Sequence, residues 1–349
     1  MKEPWMNRPL TIVAFAILAS VSACNDDAAS TRTASVVIYC SVDTAIAEPI
    51  LAAFEKRSGI KVHAIFDTEA GKTTGLINRL MAERARPRAD VWWSSEVFGT
   101  IQLAERGVLA KYTSAQASDI PAVFRDSENR WIAVGLRGRV IAFDPTRIKI
   151  EDLPRSWSDL ADPKYRGRFQ MADPRFGTTR GHMAVQLSLW GQPAMEKFYQ
   201  ALRDNECKLA DGNAKAVLNL TRGLADFVAT DTDDVLLAQA RGDAIEMIYP
   251  DLDAPDGRSR NSGTLWIPCS VGLVKESPHP TEGGQLVDYL ISAEVEELLF
   301  ASESRNVPVR PELREKLKTE ASHQAIVDYA ATAKLLDLSD KLVRDMLLQ

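Results

Sequence analysis

Short apolar runs alternate with helix-like segments along most of this chain, and this alternation limits its fold more than any other feature. The run SVVIYCS (35–41) precedes a helix-like segment that ends at Gly59, and the run IKVHAIF (60–66) follows it. A strand, a helix and a strand in this order form a β-α-β unit, whose two strands lie parallel in one sheet. The segments LINRLMAERA, ADVWWSS and VFGTIQLAERG continue the alternation. We therefore predict an α/β fold with a parallel sheet.

Two long extended runs interrupt the alternation, at 130–145 (RWIAVGLRGRVIAFDP) and at 263–275 (GTLWIPCSVGLVK). Between them, helix-like and strand-like segments alternate again up to Gly242. This pattern predicts a second α/β unit, which the two long runs connect to the first. Beyond the second run, residues 281–304 have the spacing of one amphipathic helix, and the tail to Gln349 is mostly helix-like.

The first residues of the chain have the pattern of an export signal. Basic residues precede an uncharged apolar stretch that is shorter than the ~20 residues a membrane-spanning helix needs. The stretch ends in VSAC (21–24), which resembles the lipobox of bacterial lipoproteins. We predict a signal peptide over 1–23, an acylated Cys24 and a tether over 24–34, which would anchor the protein in the periplasm or cell envelope. The alternative is an ordinary signal in which Cys24 has no special role.

Composition and motifs argue against nucleic-acid binding and against catalysis. The 349 residues carry a net charge of −6, whereas nucleic-acid-binding domains are usually basic. The sequence has no GxSxG nucleophile elbow and no HExxH metalloprotease motif, so we expect no enzyme activity. Three cysteines follow Cys24, namely Cys40, Cys207 and Cys269, so at most one internal disulfide can form.

Several segments occur in the order in which they are found in the ferric-iron group of ABC importer solute-binding proteins. Examples are ADVWWSSE (89–96), LRGRVIAFDP (136–145), SWSDLADPKYRGRFQMADP (156–174) and RNVPVRP (305–311). The chain resembles this group over almost all of 35–311. The resemblance implies the type 2 periplasmic-binding-protein fold, in which two open α/β sheets, joined by two crossover strands, form lobes that close around a ligand.

The resemblance also implies how the chain is divided and what it does. Lobe 1 would comprise 35–136 and 264–306, lobe 2 would comprise 137–263, and helices of 307–349 would pack on the lobes. A monomer would deliver a small ligand to the permease of an ABC importer. The same fold and site would equally suit a sensor lipoprotein that is not coupled to transport.

Candidate site residues follow from the rule that open α/β sheets bind ligands beyond the carboxyl ends of their strands. The strand ends and the hinge hold Asp43, Ser95, Glu96, Arg137, Arg175, Thr178, Thr179, Asn213, Thr232 and Asp233. In the family that the chain resembles, a histidine would fall at Asp43 and a carboxylate at Ser95 or Glu96. Two adjacent tyrosines would fall at Thr232 and Asp233. That tyrosine pair is absent here, although phenolates are the ligands that make such sites selective for Fe³⁺.

The acidic residues at these strand ends have two explanations. Hard cations accept carboxylate oxygens, so Asp43, Glu96 and Asp233 form a candidate metal set. A helix start is the other explanation, because Thr230, Asp231 or Thr232 is a good N-cap and Asp233 and Asp234 would lie favourably in the helix dipole.

The second lobe offers a candidate anion site. Thr178 and Thr179 stand where a helix is predicted to start, and the free N–H groups and dipole of a helix start attract anions. Arg175 adds positive charge, and Arg139 lies with Arg137 on the hinge. The resembling family holds a companion anion at this helix start, together with an asparagine that matches Asn213. The alternative is that the threonines are plain N-caps and the arginines a solvated face.

Two classes of ligand therefore stay open. One is an iron or other metal ion held by Asp43, Glu96 and Asp233 with a bridging anion. The other is an aminophosphonate or another small amphoteric or anionic solute, with its ammonium group near Asp233 and its anion at Thr178 and Thr179. We predict no cofactor other than a bound metal ion with its companion anion, if the ligand is of the first class.

Overall fold

Nine strands form one mixed sheet in the part of the chain that the structure describes. The structure is a computed structural model, and it describes Met1 and residues 34–67, 73–257, 260–319, 321 and 323–348. The strands are β1 (Ser35–Cys40), β2 (Lys61–Phe66), β3 (Val91–Ser94), β4 (Ile132–Phe143), β5 (Phe169–Ala172), β6 (Lys208–Ala210), β7 (Phe227–Asp231), β8 (Glu246–Ile248) and β9 (Trp266–Leu273). They lie in the order β2-β1-β3-β9-β4-β7-β5-β6, and β8 pairs with β4 outside this path.

The two long extended runs form β4 and β9, which lie side by side in the middle of the sheet. They pair antiparallel, and every residue of both strands is buried. The first half of β4 pairs with β9, whereas its second half pairs with β7. On the two sides, β1 pairs parallel with β2 and β3, and β5 pairs parallel with β6 and β7. The structure thus confirms the predicted α/β class, with two parallel groups of strands joined through two long strands.

Helices connect most of these strands. They are α1 (Thr44–Ser58), α2 (Thr74–Glu83), α3 (Phe98–Glu105), α4 (Gly177–Trp190), α5 (Gln192–Asp204), α6 (Asn213–Thr221), α7 (Thr232–Ala240), α8 (Pro280–Leu290), α9 (Ala293–Ala301), α10 (Pro311–Leu317), α11 (Tyr329–Ala333) and α12 (Leu336–Leu342). Helix α1 ends at Gly59, whose φ of 72° lies in the left-handed region that glycine adopts without steric cost.

One predicted helix is divided in two. The sequence 281–304 suggests a single helix, but the structure has α8 and α9, and that prediction is wrong. The hydroxyl group of Ser292 accepts a hydrogen bond from the Val295 N–H at 3.3 Å and so caps a new helix. The apolar spacing continues through the break, which is why periodicity alone does not reveal it.

Some of the predictions fall outside the described residues. The predicted signal peptide, Cys24 and the tether up to Thr33 lie there, apart from Met1. Elsewhere, within the described residues, no helix is long and apolar enough to cross a membrane. Cys40, Cys207 and Cys269 are all free thiols, so none of the possible disulfides is present. Residues Ala34–Gln349 form one compact unit, and the lobe boundaries stay a prediction.

Helices α3 and α4 pack closely where a glycine faces a phenylalanine. A Cβ atom at Gly181 would lie 2.2 Å from Cδ2 of Phe98, so the contact requires glycine. The Phe98 ring also contacts the Tyr329 ring of α11, with 5.9 Å between the centroids. Because α3 follows β3 and α4 follows β5, this packing fixes the distance between two helix starts at the ends of the strands.

We expect Gly181→Ala to lower the free energy of unfolding by about 1–3 kcal/mol, because the added methyl group overlaps the Phe98 ring. Urea unfolding at neutral pH measures this change. Ser188→Ala is the control, since Ser188 is exposed on the same helix, and it should change the stability by less than about 0.5 kcal/mol. Wild-type stability of Gly181→Ala would contradict the close helix contact.

Candidate functional site

A cavity of about 30 Å³ lies where β3, β5 and β7 end and where α4 and α6 begin. That volume is room for one or two water-sized groups, and the empty space around it, which includes open solvent, is about 440 Å³. Its lining includes the predicted site residues Ser95, Arg137, Thr178, Thr179 and Asn213. Strand ends and helix starts therefore converge on one small polar space, as expected for an open α/β sheet.

A fully buried ion pair between Arg139 and Asp231 lies beside this cavity. The two residues stand opposite each other in the antiparallel pairing of β4 and β7, and both are 0% exposed. Arg139 Nη1 lies 2.8 Å from Asp231 Oδ1. The other oxygen, Oδ2, accepts hydrogen bonds from the Thr178 hydroxyl at 2.6 Å and from Asn213 Nδ2 at 2.9 Å. One carboxylate thus ties β4 and β7 to the starts of α4 and α6.

The surroundings keep Asp231 ionised. Burial alone would raise the pKa of its carboxyl group, but the guanidinium groups of Arg139 and Arg137 and the Thr178 hydroxyl outweigh burial and lower that pKa. Asp231 occupies the side-chain donors of Thr178 and Asn213. The donors left at this place are the buried Nε atoms of Arg137 and Arg139, which have no partner among the described residues, and backbone N–H groups, because those of a first helical turn have no partner within the helix.

A second ion pair joins Arg137 of β4 to Asp233 at the start of α7. Arg137 Nη1 lies 2.7 Å from Asp233 Oδ2, and Arg137 Nη2 donates a hydrogen bond to the backbone carbonyl of Ser95. The other oxygen of Asp233, Oδ1, is buried and has no hydrogen-bond partner among the residues that the structure describes. Burial raises the pKa of Asp233, although Arg137 opposes this effect. Asp233 does not line the cavity, so this oxygen is an unmet hydrogen-bond acceptor inside the protein, next to the cavity residues Arg137 and Asp231.

The acidic cluster also has a structural role, as the helix-start explanation predicts. Asp231 is the N-cap of α7, and it forms a capping box with Asp234. The Thr230 hydroxyl donates to Asp234 Oδ2 at 2.8 Å. Among the described residues, the one set of three side chains near enough to share a metal ion is Asp231, Asp233 and Asp234, with ligand atoms within 4.8 Å of one another.

The predicted metal set of Asp43, Glu96 and Asp233 does not form such a group in the described part of the chain. Both carboxylate oxygens of Glu96 lie 3.1 Å from the Gly99 N–H, so this side chain caps α3 instead. Burial raises the pKa of Glu96. Asp43 is the N-cap residue of α1. A metal site formed by these three residues therefore stays a prediction.

Two further predicted residues lie outside the cavity lining. Arg175 is exposed, and its Nε donates to Asp173 Oδ1 at 2.9 Å, so its charge is already paired. The Thr232 hydroxyl accepts a hydrogen bond from the Gly138 N–H at 3.2 Å. Ligand contacts by either residue stay predictions.

The sequence predicts that Asp231 lies in the acidic helix start and Arg139 on the hinge, but it does not predict that they pair. Their pairing joins residues 92 positions apart, which no local pattern reveals. The available signal was chemical, because an arginine in the middle of an apolar strand needs a buried acid as partner.

Comparisons with known proteins agree with this architecture. Residues 95–330 match the family model described as bacterial extracellular solute-binding protein. The chain is 24% identical over 296 residues to the major ferric iron-binding protein of Neisseria meningitidis serogroup A, across 83% of this chain and 85% of that protein. It is 27% identical over 265 residues to a putative 2-aminoethylphosphonate-binding periplasmic protein of Salmonella typhimurium, across 75% and 73% of the two chains.

Among solved structures, the crystal structure of iron-bound HitA from Pseudomonas aeruginosa is similar to this chain. It matches with a TM-score of 0.77 and 24% identity, over 90% of this chain and 99% of that chain. This likeness confirms the predicted two-lobed periplasmic-binding-protein fold.

We expect Arg139→Met to lower the free energy of unfolding by about 3–5 kcal/mol at pH 7, because Asp231 would keep a buried charge without its partner. The folded-state pKa of Asp231 lies below its unfolded value, so the stability that the pair contributes is present above about pH 4 and is lost as the pH falls through the folded pKa. The deficit of the variant should therefore shrink in acid.

Urea unfolding at pH 7 and in acid measures both effects. The double variant Arg139→Met with Asp231→Leu is the control, and it should recover most of the loss because no charge stays buried and unpaired. An Arg139→Met protein as stable as wild type at pH 7 would contradict the role of this ion pair.

Proposed function

The chain belongs to the family of bacterial extracellular solute-binding proteins, and we propose that it delivers a small amphoteric solute to the permease of an ABC importer. An amphoteric solute carries a cationic group and an oxyanion, as an aminophosphonate does. One observation carries this proposal: Arg137 and Arg139 already neutralise Asp233 and Asp231, while Asp233 keeps one buried oxygen without a partner among the described residues. Such a site suits a solute of balanced charge better than a bare cation.

The oxyanion would bind at the starts of α4 and α6. First-turn N–H groups lie at the positive end of the helix dipole and attract anions. Thr178, Thr179 and Asn213 place two such starts beside one cavity. Because the Asp231 carboxylate already accepts from Thr178 and Asn213, backbone N–H groups would supply most contacts to the oxyanion.

The ammonium group would bind at Asp233. A buried polar atom without a partner costs about 1–3 kcal/mol, so a donor at Oδ1 stabilises the complex. An ammonium group supplies three N–H donors, and its charge strengthens a hydrogen bond to a carboxylate. The relative from Salmonella typhimurium, which is named for putative 2-aminoethylphosphonate binding, supports a solute of this kind.

A metal ion is the second candidate cargo. The three aspartates of the capping cluster place ligand oxygens within 4.8 Å of one another, and the relative from Neisseria meningitidis is named a major ferric iron-binding protein. However, a metal ion at the free oxygen of Asp233 would lie beside the buried guanidinium group of Arg137, which is paired with the other oxygen at 2.7 Å. Repulsion between like charges grows with their size, so this neighbour disfavours a divalent or trivalent ion more than a singly charged ammonium group.

We further propose that the protein acts as a monomer at the cell envelope, held by acyl chains on Cys24. A single acyl chain gives only marginal membrane binding, whereas two or more give a stable anchor. Solute binding and release require no covalent bond to be made or broken, so we expect no catalytic activity.

Isothermal titration calorimetry of the metal-stripped protein tests the choice of cargo. We expect 2-aminoethylphosphonate to give heat of binding, whereas ferric citrate and manganese chloride give none. Asp233→Asn keeps the shape of the side chain but removes the charge that pairs with the ammonium group. It should weaken binding about tenfold or more, as expected for loss of a charged hydrogen bond.

Ethylphosphonate is the control ligand, because it lacks the amine. It should bind wild type and Asp233→Asn with similar affinity. If only the metal salts give heat with wild type, the amphoteric proposal is wrong and the metal candidate is favoured.

A further inference from the structure

Three buried hydroxyl groups meet on the wall of the site opposite the start of α4. They belong to Ser41, directly after β1, to Ser95, directly after β3, and to Thr73, directly before α2. Their side chains are 3%, 4% and 1% exposed in that order. Of the three residues, Ser95 lines the cavity. We call these three side chains the hydroxyl cluster.

The hydrogen bonds within the hydroxyl cluster are long. The Thr73 hydroxyl lies 3.2 Å from Ser41 Oγ and 3.4 Å from Ser95 Oγ, and Ser41 Oγ lies 3.4 Å from Ser95 Oγ. Hydroxyl groups that bond well are about 2.7–2.8 Å apart. The Ser95 hydroxyl is therefore only weakly engaged inside the protein, and an oxygen in the cavity could form a shorter bond with it.

The backbone at Thr73 supports a functional role for the cluster. Thr73 has φ of 66° and ψ of −51°, a combination that a β-branched residue rarely adopts. Such conformations cost free energy, and they are found most often where a ligand is held. This strained backbone places the Thr73 hydroxyl against Ser41 and Ser95.

The charges near the hydroxyl cluster favour an uncharged group of the solute at this place. Asp67 Oδ2 accepts the Leu76 N–H at the start of α2, and the Glu96 carboxylate accepts the Gly99 N–H at the start of α3. These carboxyl groups already satisfy N–H groups that would otherwise attract an anion. A second oxyanion is therefore disfavoured at this wall, whereas a hydroxyl group can both donate to and accept from Ser95.

We infer that Ser95, positioned by Ser41 and Thr73, binds a hydroxyl group of the solute. The preferred cargo is then an amphoteric oxyanion that carries a hydroxyl group, such as a hydroxylated aminophosphonate. This inference rests on the proposed function, because it assigns the third polar group of the same solute. Ser95 is the contact residue, and Ser41 and Thr73 are positioning residues.

Calorimetry with two probes tests the inference. The probes are 2-aminoethylphosphonate and 2-amino-1-hydroxyethylphosphonate, which differ by one hydroxyl group. We expect wild type to bind the hydroxylated probe between about threefold and tenfold more tightly, as expected for one added hydrogen bond. Ser95→Ala should abolish this preference, because it should weaken binding of the hydroxylated probe more than binding of 2-aminoethylphosphonate.

The positioning residues have a readout of their own, the ratio of the two affinities. Ser41→Ala and Thr73→Val should reduce this ratio, since each removes a hydroxyl group that orients Ser95. Ser304→Ala is the matched control, because it removes a buried hydroxyl outside the cluster and should leave the ratio unchanged. Thermal unfolding of each variant shows that it is folded.

Two outcomes separate the inference from the proposed function. If wild type binds both probes equally, or if Ser95→Ala weakens both equally, the hydroxyl subsite is wrong while the amphoteric site stands. If wild type binds neither probe, the proposed function fails and the inference fails with it.

Discussion

The ion pair between Arg139 and Asp231 is the interaction on which the site depends. It lies where β4 and β7 pair, with both side chains fully buried. The same carboxylate accepts hydrogen bonds from Thr178 of α4 and Asn213 of α6. Loss of one partner from a buried ion pair strongly destabilises a protein. The pair and its hydrogen bonds therefore hold two strands and two helix starts in one arrangement. The cavity exists where these elements meet.

The charge balance of the two ion pairs is the basis of the proposed ligand class. Arg137 and Arg139 bring two positive charges from one strand to the acidic start of α7. Without them, the aspartates would attract a metal ion; with them, Asp231 and one oxygen of Asp233 are already paired with guanidinium groups. What remains open is one oxygen of Asp233 and the N–H groups of helix starts, which together match a solute that carries both signs of charge.

Local patterns predicted the elements well because strand and helix periodicity depend on nearby residues. The parallel pairing of β1 with β2 and the long strands β4 and β9 follow from such patterns. Local patterns did not locate the break at Ser292, where apolar spacing continues across a helix cap. They also did not pair Arg139 with Asp231, since side chains far apart in sequence meet only in the folded sheet. Glu96 shows the same limit, because its position at a strand end fits a ligand role as well as the capping role it has.

We propose that the buried guanidinium group of Arg137 disfavours a metal ion at Asp233. Titration of manganese chloride into wild type and into Arg137→Met, both metal-stripped, measures this most directly. The methionine keeps the approximate length of the side chain and removes its charge, so we expect the variant to bind the manganese ion while wild type does not. If wild type binds the manganese ion equally well or more tightly, Arg137 does not disfavour a metal ion at Asp233.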